Sequence, residues 1–234
     1  MLYSKASELK TISIHITTDG YRFFSLDENS TFYPISTEDS LVKRIQAEFD
    51  TESFAFKLIS TEPCSLVAEE LFDPSKATLN LRFQNNTASN STFNLIKSAG
   101  LYLVFPRDIV LENQLTEANI TFTTSHSATE LIKRALATPE KNDIRIVSVF
   151  HNNFIELVHH KGSELFGYHR FTINQSSDVN YFIGLIVQQS RSKGQIPVDL
   201  ICYDCFSTYG KEAVRELAQW NPEMQYITEL FPFI

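Results

Sequence analysis

The strongest constraint on the fold is a pattern of three short strands followed by a helix, which occurs in both halves of the sequence. In the first half, apolar and polar residues alternate over residues 11–17, as in a strand with one buried face. Asp19 and Gly20 give a hairpin turn signal, and strands are predicted at residues 21–26 and 31–35. A helix follows, whose predicted apolar face comprises Leu41, Val42, Ile45 and Phe49.

The second half repeats this order. Residues 144–150 form a nearly continuous apolar strand, as expected at the centre of a sheet. Strands at residues 154–159 and 164–171 follow, separated by turns at 152–153 and 161–162. The remaining predicted elements are a helix from about Asp178, a strand at 198–203, a helix at 211–218 and a strand at 224–228.

The repeated order is that of a ribonuclease-H-like unit, so it predicts an α/β protein with two such units in tandem, each with a mixed sheet and helices. We expect the first domain at residues 1–138 and the second at residues 143–234, joined by a polar linker that contains proline. Pro63 and Pro74 interrupt the periodicity after a strand at 54–60. Residues 63–97 are therefore predicted to form a subdomain inserted in the first domain.

Three stretches carry a resemblance to a known family. They are ISIHITTDGYRFFSLD at residues 12–27, CSLVAEELF at 64–72, and VSVFHNNFIELVHHKGSELFGYHRF at 147–171 with its helix SSDVNYFIGLIVQ. They resemble a bacterial family of domain-of-unknown-function proteins with an actin-like ATPase fold. The chain is also distantly similar to actin-like scaffold proteins of pilus assembly and type II secretion. The resemblance implies the two-domain architecture of actin, Hsp70 and sugar kinases.

The same resemblance implies where ATP would bind, namely between two hairpins with Asp-x-Gly-[Thr/Ser] loops. Here His15 stands in place of the aspartate and Thr17 in place of the glycine. The second hairpin has neither residue, and residues 202–205 replace the Gly-Gly pair of the adenosine loop. We therefore predict a pseudo-ATPase that needs no cofactor. If a nucleotide does bind, the residues expected near it are Thr17, Thr18, Asp19, His151, Asn152 and Asn153.

Other chemical motifs are weak. Cys202-x-x-Cys205 has the spacing of a redox or zinc half-site, but no second ligand pair accompanies it, so two buried thiols are expected and no metal. Adjacent strand residues face opposite sides, so His159 and His160 are expected at the surface, like His151, rather than on one metal. Without a nucleophile elbow or paired carboxylates, no catalytic residue is predicted and the chain is expected not to be an enzyme.

Net charge and hydropathy limit the classes of partner and the cellular location expected for the chain. The net charge is −8 with no basic cluster, which argues against nucleic acid. The absence of a signal-like start and of a long apolar run predicts a cytoplasmic protein without a membrane span.

The leading hypothesis is a non-catalytic interaction or scaffold protein. The alternatives are a divergent actin-like ATPase, or a thiol or metal protein using the cysteine pair. A protein partner is expected on the insertion and the strand at 101–105, through Leu66, Val67, Leu71 and Phe72.

Overall fold

A computed structural model describes residues 10–17, 19–24, 30–35, 40–82, 89–137, 144–192, 194, 197–204, 210–220, 222 and 225–229. Contacts divide the chain into two compact units. The first contains the described residues of Met1–Leu95 and Leu101–Ser127, and the second those of Ile96–Gly100 and Ala128–Phe231. The predicted linker at 138–143 lies outside the described residues, and the helix that precedes it groups with the second unit.

The first half of the chain supplies eight strands and three α-helices among its described residues. The strands are β1 (Lys10–Ile16), β2 (Gly20–Phe24), β3 (Ser30–Pro34), β4 (Phe54–Ser60), β5 (Ser65–Ala68), β6 (Ser91–Ile96), β7 (Leu101–Pro106) and β8 (Phe122–His126). The helices are α1 (Leu41–Glu48), α2 (Ala77–Arg82) and α3 (Ile109–Glu117). Short 3-10 turns occupy Glu69–Leu71, Pro74–Lys76 and Lys97–Ala99.

The main sheet of the first unit has the strand order β3-β2-β1-β4-β8. The meander β1-β2-β3 is antiparallel, whereas β4 and β8 run parallel to β1. Alternate side chains of these strands pack against α1 and α3, which is why the sequence shows period two in the strands. The buried core residues are Ile12, Ile14, Phe23, Leu41, Ile45, Phe56, Leu58, Leu111, Leu115 and Ile120.

The predicted insertion folds between β4 and α3 into a three-stranded sheet of order β5-β7-β6, with α2 against it. Its core is small. Ala77, Leu81 and Val104 are buried, and the half-buried Val67 and Phe72 pack against them. Leu103 and Phe105 of β7 are also buried, whereas most other apolar residues of the segment are only partly covered.

The second half contains strands β9 (Ile144–Phe150), β10 (Phe154–Lys161), β11 (Glu164–Thr172), β12 (Pro197–Asp204) and β13 (Gln225–Glu229). Its helices are α4 (Ser127–Ala137), α5 (Ser176–Ser192) and α6 (Gly210–Trp220). The strand order β11-β10-β9-β12-β13 matches that of the first sheet position by position, and α5 and α6 contact each other. The predicted repeat of topology is thus present, with the insertion as its main departure.

The α5 and α6 side of the second sheet forms the larger core. Its buried residues are Ile146, Phe150, Ile155, Leu157, Ile173, Val179, Ile183, Ile186, Val187, Leu200, Cys202, Ala213 and Leu217. On α4, Arg134 donates a hydrogen bond to the hydroxyl oxygen of Tyr203 at 2.8 Å. Within the described part of the chain, no helix is both long and apolar enough to cross a lipid bilayer.

Candidate functional site

The β1-β2 hairpin closes between Thr17 and Gly20, where the resemblance implies that an active member of the fold would carry its first phosphate loop. The backbone N–H of Thr17 donates to the carbonyl oxygen of Gly20 at 3.0 Å, and the Thr17 hydroxyl lies 2.6 Å from the Asp19 carboxylate. The backbone N–H of Ile35 donates to the Asp19 carbonyl at 3.0 Å, which ties the end of β3 to the turn. Thr18 lies outside the described residues. Thr17 and Asp19 are therefore committed to the turn itself.

Gly20 has a packing reason to be glycine. A Cβ built on it would overlap the backbone oxygen of Tyr33 and lie 2.7 Å from carbons of the Phe32 ring, on the neighbouring strand β3. Real Cβ atoms do not approach other heavy atoms so closely. The only glycine of the first hairpin thus permits close approach of β2 and β3.

The β9-β10 hairpin has the same construction. The backbone N–H of His151 donates to the Phe154 carbonyl at 2.9 Å, so Asn152 and Asn153 form a two-residue turn, and both are exposed. The backbone N–H of Ile173 donates to the Asn153 carbonyl at 2.9 Å, as Ile35 does to Asp19 in the first hairpin. The two hairpins are therefore equivalent at the level of individual hydrogen bonds, although their sequences differ.

A buried polar network braces the second hairpin. Glu156 is fully buried on β10, and one of its carboxylate oxygens lies 2.8 Å from Nε2 of His151. Tyr168 donates its hydroxyl proton to the other carboxylate oxygen at 2.6 Å. An ionised Glu156 accepts in both contacts, and Nε2 of His151 then carries the ring proton. The His151 ring also stacks on Phe154, with centroids 4.0 Å apart.

Sequence reasoning missed Glu156, although a signal was present. It is a single carboxylate within the apolar run of residues 154–158, and a buried carboxylate requires hydrogen-bond donors. The donors are not neighbours in sequence, because Tyr168 comes from β11 and His151 from the turn. Only the strand register brings the three together.

The histidines were expected at the surface, and this expectation is wrong. His151, His159 and His160 are all buried, and strand β10, which carries His159 and His160, is buried on both faces. Nε2 of His159 lies 3.0 Å from Oγ of Ser190 on α5, and Nδ1 of His160 lies 2.9 Å from the Gly162 carbonyl. Burial lowers the pKa of His160 despite the contact with Gly162, and the nearby Arg145 lowers it further.

The described residues contain no group of three or more histidine, cysteine, aspartate or glutamate side chains arranged to hold a metal ion. Cys202 is buried in the α5 and α6 core, and Cys205 lies outside the described residues. Cys64 and Cys202 form no disulfide in the described part of the chain. The geometry of the cysteine pair therefore stays a prediction.

The four residues predicted to bind a partner have different environments. Leu71 is 75% exposed, and Leu66 is half-buried opposite Leu103 of β7. Val67 and Phe72 instead contribute to the small core of the insertion.

Two further aromatic residues lie beside this group. The Phe72 ring stacks on Tyr102 with centroids 4.0 Å apart, and Phe93 meets Phe72 edge-on at 4.8 Å. Phe93 is 39% exposed, although its position beside a polar stretch of sequence gave no reason to single it out. Leu71, Phe72, Phe93 and Tyr102 are together called the insertion surface below.

Comparison with known proteins supplies a family and a fold. The sequence profile of DUF3822, a protein family of unknown function, matches residues 3–200. A protein of unknown function from Bacteroides thetaiotaomicron with an actin-like ATPase fold superposes with a TM-score of 0.75, 18% identity, and coverage of 98% of this chain and 94% of that one. The predicted actin-like ATPase fold is confirmed.

More distant matches are proteins of pilus biogenesis and secretion. A PilM-PilN type IV pilus biogenesis complex matches with a TM-score of 0.52, 9% identity, and coverage of 94% of this chain and 88% of that one. The cytoplasmic domain of EpsL of the Vibrio cholerae type II secretion system matches with a TM-score of 0.48, 9% identity, and coverage of 94% and 90%. No curated protein matches the sequence.

Proposed function

Because the chain belongs to the DUF3822 family and has an actin-like ATPase fold, we propose that it is a non-catalytic protein-interaction protein that has lost the nucleotide-binding loops of that fold. The observation that carries the proposal is the pair of two-residue turns at Thr17–Gly20 and His151–Phe154. The resemblance implies that an active member of the fold would carry a phosphate loop at each of these positions.

The physical argument concerns backbone donors. A phosphate is bound by several N–H groups that point into a common concavity, usually with glycine to let the backbone approach. In both hairpins, the N–H group that would begin such a loop is consumed within the turn, at Thr17 and at His151. A turn of two residues leaves little chain to wrap a phosphate, and Gly20 serves strand packing instead.

The residues that the resemblance assigns to the adenosine loop also support the proposal. Cys202 is part of the core, and the neighbouring Tyr203 is buried beneath the Arg134 guanidinium, which lies 5.3 Å from its ring centre. A Gly-Gly pair exposes backbone for a flat base to lie against, whereas this stretch carries a buried tyrosine.

The insertion surface is the proposed docking site. Aromatic side chains dominate binding energy at protein interfaces because they bury a large area at small entropic cost. Here Phe72 and Tyr102 form a stacked base, while Phe93 and the largely exposed Leu71 are accessible to a partner. That one structural neighbour is a PilM-PilN complex is a fold-level analogy in the same direction.

The two alternative functions, a divergent ATPase and a thiol or metal protein, each require an observation that the proposed function does not. A divergent ATPase must bind Mg·ATP through contacts other than the two turns. A thiol or metal protein must hold stoichiometric metal, or cycle a disulfide, at Cys202 and Cys205. An interaction protein requires neither, and must instead lose its partner when the insertion surface is altered.

The test compares partner capture by the full chain and its variants. Leu71→Asp and Phe93→Asp place charge on the insertion surface, and each should lose the partner proteins that the unaltered chain retains from native cells. Trp220→Asp is the matched control, since Trp220 is a large apolar side chain, 81% exposed on α6 in the second unit. A captured set unchanged by both insertion variants, or lost only with Trp220→Asp, would overturn the assignment of this surface.

A further inference from the structure

A cavity of about 430 Å³ opens in the first unit where β1, β4 and β8 end. These three strands are mutually parallel, so their carboxyl ends meet at one edge of the sheet. The same edge binds ligands in many open α/β sheets, and the volume falls within the range of about 300–1,000 Å³ of ligand sites. From these three strands, Ile16, Leu58, Ser60, Thr124 and Ser125 line the cavity.

The interior of the cavity is largely apolar. Phe105 and Pro106 of β7 form one side, and Ile109 and Val110 at the start of α3 form another. Val110 is 69% exposed, which is unusual for an apolar side chain beside a cavity mouth. An occupant must therefore present an apolar body to this part of the cavity.

The charged residues that line the cavity indicate which charge an occupant carries. The cavity is lined by three carboxylates, Glu62, Asp108 and Glu112, and by a single guanidinium, Arg107. Nε of Arg107 donates to Glu112 at 2.7 Å, so that pair is mutually neutralised. Two carboxylates remain, and the resulting local charge of about −2 favours a cation.

The start of α3 would otherwise suggest an anion site, because helix amino ends attract phosphate and carboxylate. Here the Asp108 carboxylate caps the helix by accepting the backbone N–H of Leu111 at 3.0 Å. Glu112 places a second negative charge in the first turn. The helix end is thus already capped by a carboxylate of the protein, and a phosphate would be repelled by Asp108.

We propose that this cavity receives a lysine or arginine side chain, flanked by an apolar residue, from a partner peptide. The methylene stem would lie along Phe105 and Ile109, and the cationic head would meet Glu62 and Asp108. The inference deepens the proposed interaction function and rests on it for the peptide nature of the ligand. The supporting argument is charge complementarity at an apolar cavity.

The test uses backbone-amide NMR of the ¹⁵N-labelled full chain with three capped tripeptides, Leu-Arg-Leu, Leu-Gln-Leu and Leu-Glu-Leu. The arginine peptide should shift the amides of Ser60, Thr124 and Ile109 and bind roughly two- to fivefold tighter than the glutamine peptide, the size expected for exposed ion pairs. The glutamate peptide should bind weakest. Added salt should reduce the difference.

Single-residue variants test whether Glu62 and Asp108 are responsible for the preference for the arginine peptide. Glu62→Gln and Asp108→Asn each remove one charge, and asparagine keeps the helix cap because it is an equally good N-cap residue. Each variant should reduce the preference for the arginine peptide over the glutamine peptide, because one of the two carboxylates is lost and the other remains. Glu69→Gln is the control, since Glu69 is exposed in the insertion and does not line the cavity.

Three outcomes would overturn the inference. They are equal binding of the arginine and glutamine peptides, shifts of the cavity amides by inorganic phosphate, and no shift with any peptide at several millimolar. Failure here with capture still dependent on Leu71 and Phe93 would remove the cavity proposal alone. Loss of that dependence would instead contradict the proposed function.

Discussion

Replacing Gly20 with alanine tests whether this glycine is required for the packing of β2 against β3 or for phosphate binding. The added methyl would overlap the Tyr33 carbonyl and press on the Phe32 ring at 2.7 Å. A backbone oxygen in a sheet cannot rotate away, so β2 and β3 must separate. Inserting one methyl group into a well-packed site costs about 1–3 kcal/mol. For a chain of this size, each kcal/mol corresponds to about 2–4 °C in melting temperature.

The matched control, Gly184→Ala, adds the same methyl group at a position where no other atom is close. Gly184 lies within α5, and a Cβ there would meet no atom within 4 Å. Alanine is favoured over glycine in a helix interior by about 1 kcal/mol, so Gly184→Ala should stabilise the protein. Urea unfolding followed by circular dichroism measures both variants. Equal or greater stability of Gly20→Ala would refute the packing argument and return Gly20 to a functional role.

Three further predictions concern Tyr168, His160 and the cysteine pair. Tyr168→Phe leaves the Glu156 carboxylate with one donor fewer and should cost about 1–3 kcal/mol in urea unfolding. Folding lowers the pKa of His160 below its ordinary value of 6.5. Its contribution to stability is therefore complete above pH 6.5 and is lost as the pH falls from there through the folded-state pKa. His160→Gln should flatten this decline in stability, and an unchanged slope of stability against pH contradicts the assignment. Cys202 and Cys205 should be reduced and metal-free, and stoichiometric zinc by elemental analysis of untagged protein would show otherwise.

The repeat was predictable from sequence because its signals are local. Strand β9 was predicted at its observed bounds, since an apolar run between polar segments reports a central strand directly. Helix α3 was not predicted. In that helix only Leu111 and Leu115 are buried, while Val110 is exposed, so no continuous apolar stripe appears in the sequence.

The candidate sites were less accessible from sequence because they depend on register. Glu156, Tyr168 and His151 meet only through the pairing of β10 with β11 and the closure of the turn. Phe93 joins Phe72 across the inserted sheet, where the sequence shows mixed composition without a clear period. The expected exposure of His159 and His160 failed for a related reason, because a strand covered on both faces has no solvent side.

The most direct test of the central claim, an actin-like fold without nucleotide binding, is the melting temperature of the full chain with and without Mg·ATP. A ligand at one hundred times its dissociation constant stabilises the folded state by about 2.7 kcal/mol. At about 2–4 °C per kcal/mol, this would raise the melting temperature by roughly 5–10 °C. If the phosphate loops are lost, the melting temperature should not change at millimolar Mg·ATP relative to the same concentration of magnesium alone. A reproducible, saturable rise would contradict that loss.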